Sequence, residues 1–458
     1  MRHTILSLMI IGLMGCSSAS NMNYVEQADD VNRATSQALL EQLINNRPQG
    51  KQTQTTNALT DLVNLPELHS YLQLALDNNP SLQQSLLALK IAYAQEGITS
   101  ADQLPSVDAS FTGNKSEGSE QTYTSDVTVS WELDLWQRLS DSSAAAQQDI
   151  LSSQAAVESA RDLVAANVMR GWLEVSVNQQ LLEIEARRLA VLENNEALVL
   201  QRYQSGLGSL QELDNAKSNS ASSRATLASY QENLATSQRS LLLLSGQWGD
   251  SAVLPDIADS FPKVLNPLDA LGTQDLANRP DLKAAFADIE AESLRTDAAY
   301  KAMLPSFNLS ASLTDIAESP SEALMNGALW SVLGSISAPL FQGGKLESAA
   351  QSAEYLTEQK FWVYQQTLLT AVNEVENAVG QEHSLEQQQL HLTQSLQSAQ
   401  RSVSTYEEKY RQGLVDIFDL LTVQQQAYDT EAQLINTTYQ RLNNRIDLGL
   451  ALGLGVSS

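Results

Sequence analysis

Few residues in this chain stand where covalent or acid–base chemistry would need them. The four histidines, His3, His69, His383 and His391, are scattered, whereas a metal site needs converging ligands. Cys16 is the only cysteine, so no internal disulfide and no thiolate cluster can form. Gly206-Leu207-Gly208 starts like a dinucleotide loop, but Gln211 stands where the third glycine belongs. Gly343-Gly344-Lys345 is followed by Leu346 rather than the hydroxyl residue of a phosphate loop. Of the methionines, Met1, Met9 and Met14 fall in an N-terminal stretch that processing would remove, so no methionine-rich copper path is suggested. Nothing here makes an enzyme, and no cofactor is expected.

Cys16 has a different use. Arg2 and His3 precede the apolar run Ile5 to Leu13, and Leu13-Met14-Gly15 then leads into the cysteine. A charged start, a short greasy core and small residues at the end read as a secretory signal over residues 1–15. Leu13-Met14-Gly15-Cys16 resembles a bacterial lipobox, which implies cleavage before Cys16 and thioether lipidation of its sulfur. Ser17 next to it implies sorting to the outer membrane. Several acyl chains would anchor a protein that one chain would hold only weakly. Residues 16–60 read as a polar, poorly patterned segment behind that anchor.

The 54 acidic residues outnumber the 27 basic ones, for a formal charge of −27. Such a surface repels phosphates and disfavours nucleic-acid partners. It suits a basic partner, a cation-favouring lumen, or simply good solvation. No stretch after residue 15 is long and apolar enough to cross a bilayer as a helix.

The elements that must carry any function are written twice. Leu104-Pro105-Ser106 recurs as Leu304-Pro305-Ser306, and Asn79-Pro80-Ser81-Leu82 as Arg279-Pro280-Asp281-Leu282. Leu135-Trp136-Gln137 recurs as Leu340-Phe341-Gln342, and Arg202-Tyr203-Gln204-Ser205-Gly206-Leu207 as Lys409-Tyr410-Arg411-Gln412-Gly413-Leu414. Preserved order at a nearly constant offset indicates a duplication, with repeats over residues 61–255 and 256–458. Proline is absent between Pro105 and Pro255 and after Pro339, which leaves room for long helices. One is expected from Ser140 to Ser205, about 100 Å long, with a second from about Leu210 to Ser245 after the Gly206–Gly208 break. The second repeat matches this, with a helix from about Gly344, a break at Gly413 and a return from about Val415. Shorter helices are expected from about Leu68 to Ala101 and from Asp275 to Met303. Val168, Val175, Leu182 and Leu189 form one apolar stripe, and Val177, Ile184, Val191 and Leu198 another, about 160° around the helix. Two stripes suit a helix packed on both sides in a ring, or in some other two-sided helical array.

Between short and long helix, each repeat shows period-two alternation. Val107, Ala109 and Phe111 alternate with polar residues, as do Tyr123, Val127, Val129, Trp131, Leu133 and Leu135. Phe307, Leu309, Ala311 and Leu313, then Trp330, Val332, Ile336 and Leu340, do the same. These place two strands at about 105–136 and two at about 305–341, with polar loops at Gly113–Thr122 and Thr314–Asn326. Each is about long enough for a tilted strand with one lipid face and one wet face. Four strands cannot close a barrel, and an open edge is not tolerated in lipid. The chain is therefore expected to associate with copies of itself.

The duplicated helix–hairpin–helix unit, the paired Leu-Pro-Ser, the Arg279-Pro280-Asp281-Leu282 signature and the two Tyr-x-x-Gly tips together resemble the TolC-type outer-membrane factor family. The lipobox points to its lipoprotein branch, which serves multidrug efflux of the RND type. The resemblance covers roughly residues 60 to 455. It implies a mixed α and β fold: a long antiparallel α-helical barrel plus a transmembrane β-barrel, four strands per protomer and twelve in a homotrimer. It also implies an outer-membrane location with a large periplasmic portion, a periplasmic adaptor and an inner-membrane RND-type pump as partners, and passive export of small molecules. A non-pore periplasmic adaptor or structural lipoprotein is the alternative, although adaptors carry one helical hairpin and this chain has two.

By the same resemblance, Tyr203, Gly206, Leu207, Tyr410, Gly413 and Leu414 form periplasmic tips that touch the adaptor. Asp416 and Asp419 follow the second tip, and Glu212 aligns with Asp419. In the family, acidic residues of this region constrict the closed entrance, a role implied for Asp419 and less firmly for Asp416. The same residues also suit a helix start, where the macrodipole favours carboxylates.

Overall fold

A computed structural model describes residues 23–45, 58–63, 65–118, 120–249, 254–255, 257–258, 260–267, 276–324 and 327–456. Cys16 and the signal-like start lie outside them. In chain order the helices are α1 (Tyr24–Asn45), α2 (Pro66–Asn78), α3 (Pro80–Ala101), α4 (Arg138–Gln204), α5 (Leu210–Leu244), α6 (Pro280–Lys301), α7 (Lys345–Arg411) and α8 (Ile417–Ala451). The strands are β1 (Ser106–Asn114), β2 (Thr122–Leu133), β3 (Ser306–Ala317) and β4 (Leu329–Ser337). The long helices come in matched pairs, α4 and α7 of 67 residues each and α5 and α8 of 35 each. Among the described residues no helix is long and apolar enough to cross a membrane.

The chain divides into two compact units. The first comprises Met1–Thr35, Gly97–Gln148 and Ala285–Gln365. It holds one antiparallel sheet in the order β1-β2-β3-β4. Register places Val107 opposite Val129, Val129 opposite Ala311, and Ala311 opposite Val332. The alternating apolar residues therefore share one face, and most of the serines and threonines share the other with Asp126 and Glu132. At one end of the apolar face sit two polar register partners, Ser125 and Asp315, both buried. The β3–β4 connection returns onto this pair, and the Gly327 N–H donates to Asp315 Oδ2 at 3.2 Å.

The strands depart from the alternation at their ends. β3 continues to Ala317 rather than stopping at Leu313, because pairing with β2 carries it through Thr314 and Asp315. β2 stops at Leu133, short of the expected Leu135 and Trp136. There Asp134 turns back to accept the N–H groups of Leu139 at 3.1 Å and Ser140 at 2.8 Å, which starts α4. β4 stops at Ser337, so Leu340 and Phe341 lie outside it, 94% and 90% exposed. Asn23 begins α1 by accepting the Glu26 N–H at 3.2 Å. The Tyr24 ring lies 5.4 Å from that of Phe361.

The second unit, Ser36–Glu96, Asp149–Ala284 and Gln366–Ser458, is built of paired helices. Its core gathers Leu59 and Leu62 of a short 3-10 segment and the extended Val63 after it with Leu72, Trp172, Leu173, Leu241 and Ile446. An isolated bridge from Val63 to Val264 ties the inter-repeat linker to it. Tyr71 completes the core by donating its hydroxyl to the Leu241 carbonyl at 2.8 Å.

The single helix expected from Leu68 to Ala101 is two helices. Asn79 precedes Pro80 and takes an extended conformation (φ −65°, ψ 121°), as residues before proline do. Its N–H closes α2 on the Ala75 carbonyl at 2.8 Å. Its Oδ1 opens α3 by accepting the N–H groups of Ser81 and Leu82 at 2.9 and 3.2 Å. The apolar stripe on α4 also drifts. Val177 and Ile184 are buried, but the line then passes to Leu192 and Val199, and Leu198 is exposed. A straight helix turns about 20° per heptad past a strict seven-residue repeat, so the buried line moves to the next residue.

Candidate functional site

Each tip is a helix–turn–helix in the second unit, and the two turns are made alike. Gly206 (φ +72°) and Gly413 (φ +73°) adopt the left-handed conformation, which side-chain-bearing residues enter only at a cost. The N–H of Gly206 donates to the Tyr203 carbonyl at 3.0 Å and that of Leu207 to the Arg202 carbonyl at 2.9 Å. Gly413 and Leu414 repeat this on Tyr410 and Lys409 at 3.0 and 2.9 Å. These paired bonds form a Schellman closure, which satisfies carbonyls that the helix end would leave bare. Leu207 and Leu414 project into solvent, 74% and 68% exposed. Apart from the adjoining residues, no atom lies within 4 Å of where a Cβ would stand on Gly206 or Gly413.

The next helix in each tip starts with a reciprocal cap. The Ser209 N–H donates to Glu212 Oε2 at 2.9 Å, and the Glu212 N–H donates to Ser209 Oγ at 3.2 Å. In the second tip the Asp419 N–H donates to Asp416 Oδ1 at 2.9 Å, and the Asp416 N–H donates to Asp419 Oδ2 at 3.4 Å. All three expected ring acids thus hold helix starts. Each tip is internally complete, and Asp416 and Asp419 remain exposed while Glu212 is half-buried.

Sequence reasoning did not find the charged ties that position these helices. Arg187 and Arg188 on α4 reach Glu431 at 2.7 Å and Asp429 at 2.5 Å on α8, and both guanidinium carbons stand 5.9 Å from the Tyr428 ring centroid. On α7, Glu382 is buried between Arg441 at 3.0 Å and Arg445 at 2.9 Å of α8. Arg445 also donates to the Val264 carbonyl of the linker at 2.6 Å. The i, i+4 pair of arginines is visible in sequence, but its acid lies some sixty residues away.

Arg279, noted only as part of a signature, is a buried junction. Its guanidinium binds Asp281 through two bonds of 3.0 and 2.8 Å, Glu374 of α7 at 2.8 Å, and the Ala451 carbonyl at the end of α8 at 2.9 Å. A cleft of about 720 Å³ opens beside it, also lined by Asp162, Arg170 and Asp447. Burial pushes the Asp162 carboxyl above its usual range, against the opposing bond from the Val456 N–H. Among the described residues, no three His, Cys, Asp or Glu side chains are grouped to hold a metal ion.

Known proteins share this chain's sequence pattern and overall fold. The chain is 27% identical over 401 residues to the probable outer membrane lipoprotein SilC of Salmonella typhimurium, covering 85% of this chain and 86% of that one. It is 28% identical over 407 residues to the outer membrane protein OprJ of Pseudomonas aeruginosa, covering 85% and 84%. Its fold superposes on the Campylobacter jejuni CmeC outer membrane channel with a TM-score of 0.79 at 22% identity, over 90% of this chain and 91% of that one. The family model described as outer membrane efflux protein matches residues 71–247 and 271–454, and with most of its length so matched the chain belongs to the outer membrane efflux protein family.

Proposed function

We propose that three copies of this chain close a twelve-stranded barrel in the outer membrane and continue as a helical tunnel, forming the exit duct of a tripartite efflux system. The sheet carries the reading. One of its faces exposes Val107, Phe111, Val129, Trp131, Leu309, Leu313, Trp330, Val332 and Ile336, and among the described residues β1 and β4 are edges with no further strand beside them. An apolar face suits lipid, yet hydrocarbon does not accept open edges, so copies of the chain must complete the wall. Known single-chain barrels need about eight strands or more. The number three comes from the family resemblance.

In this reading residues 61–255 and 256–458 are the two copies of a duplicated unit, and Cys16 carries the lipid. The Tyr203–Leu207 and Tyr410–Leu414 turns meet a periplasmic adaptor, which links the duct to an inner-membrane RND-type pump. Two exposed leucines and a backbone with open space over its glycines are a surface a partner can approach closely. Asp416, Asp419 and Glu212 gather at the entrance, where threefold repetition would make a cation-favouring ring. The test is single-channel recording of the purified protein in planar bilayers, beside its oligomeric state in detergent. Discrete conductance steps from a heat-modifiable oligomer are expected. A water-soluble monomer without conductance would sink the proposal.

A further inference from the structure

The two edges of the sheet allow one step more. All nine residues of β1 and all nine of β4 are exposed. Each strand runs antiparallel to its neighbour, so β4 of one copy meets β1 of the next antiparallel as well. We propose that this seam adopts the register that sets Ser110 of one copy against Leu333 of the next, with Ser106 opposite Ser337 and Asn114 opposite Leu329. The inference rests on the channel reading and adds which residues meet.

Two constraints leave one register. The first is the face. Traced through the sheet, Val107, Ala109, Phe111 and Gly113 of β1 share the apolar side with Trp330, Val332, Gly334 and Ile336 of β4. A slip of one residue would turn one strand's lipid side toward the lumen. The second is backbone saturation. The edges are equal in length, so only the unslipped register pairs all nine residues of both. Any slip of two keeps the faces but strips two residues at each end of their partners, which lipid penalises. Side-chain sizes agree with the unslipped choice, since Trp330 falls opposite Gly113 and Gly334 opposite Ala109.

The experiment is disulfide trapping of the full chain in outer membranes with a mild oxidant. Ser110→Cys/Leu333→Cys is expected to give on the order of tenfold more reducible, covalently linked oligomer than Asp108→Cys/Leu333→Cys or Thr112→Cys/Leu333→Cys. The slipped pairs lie diagonally across the seam, with Cβ atoms about 7–8 Å apart, beyond disulfide reach. Chains with one added cysteine set the background from Cys16. If a double variant fails to assemble, co-expressing the two single-cysteine chains reads the same seam. A slipped pair that links as well as the predicted one overturns the register while a detergent-stable oligomer leaves the channel reading standing. No detergent-stable oligomer from the unmodified chain overturns both.

Discussion

The second tip allows a direct contest between two roles for the same carboxylates. Asp416 and Asp419 cap α8 reciprocally, and the proposed entrance ring also requires their charge. The first tip shows how to separate the two, because Ser209 there does the work of Asp416 without charge. Asp416→Ser/Asp419→Gln keeps both cap partners and removes two charges per chain. Asp416→Ala/Asp419→Ala removes both cap and charge. Loss of the cap should cost about 1 kcal/mol of helix stability, against a few tenths for the Ser/Gln variant. For the ring, a carboxylate about 10 Å from the axis contributes about 0.4 kcal/mol to a passing cation in water. Screening at 0.1 M salt cuts this to about 0.15 kcal/mol. Six carboxylates in a trimer then give about 0.9 kcal/mol, roughly a four- to fivefold cation enrichment. Reversal potentials across a KCl gradient should therefore move toward zero equally in both variants, while only the Ala variant loses stability to urea. Unchanged selectivity in the Ser/Gln channel would refute the ring. Equal stability of the two variants would refute the cap.

Other expectations follow from the same geometry. Arg279→Met strands Asp281, Glu374 and the Ala451 carbonyl, but both acids are partly exposed and can rehydrate. The loss should therefore be about 2–3 kcal/mol, below that of a fully buried pair, read as a lowered urea midpoint; a wild-type midpoint would show the junction to be incidental. Asp162 has a raised carboxyl pKa in the fold, so its contribution favours folding below the ordinary aspartate range and is lost as pH rises through the raised value. Asp162→Asn should accordingly gain in thermal midpoint on the wild type as pH rises above the ordinary aspartate pKa of about 4; a constant difference would contradict the shift. Gly206→Ala and Gly413→Ala meet no neighbouring atom, so each should cost only backbone strain, about 1–2 kcal/mol. Chemical denaturation in detergent would expose a missing penalty, and with it an error in the assigned turn.

Much of this architecture was legible because it is local and periodic. The long helices α4 and α7 begin and end within a few residues of where proline and glycine placed them, and the alternating strands lie where period two put them. What escaped was non-local or depended on termination. Alternation alone could not tell the last rung of β2 from Leu135 and Trp136 in the turn after it. The break at Asn79 was hidden by apolar residues on both sides, although Pro80 supplied the signal. Glu382 and its arginines, or Arg188 and Asp429, are unremarkable charges until the helices lie side by side. The tip acids were found, but their hydrogen bonds to backbone N–H groups were not, since a carboxylate three residues from its cap partner reads equally as a lumen charge.

In the proposed barrel, the buried pair Ser125 and Asp315 would set an upper waterline on the outer wall. Two polar side chains on the lipid-side face do not suit acyl chains, so the continuous oily slab would begin beneath them, at Val127 and Leu313, with Phe111 at its upper rim. From Val127 to Leu133 is about 20 Å along a strand, and tilt reduces this to about 15 Å of depth, short of the roughly 25 Å apolar band of such barrels. The shortfall is made up beneath the sheet by Leu135, Trp136, Leu340 and Phe341. On that reading the bilayer's inner margin would fall on the turns that feed the two longest helices, and those four side chains would fix how deep the wall floats.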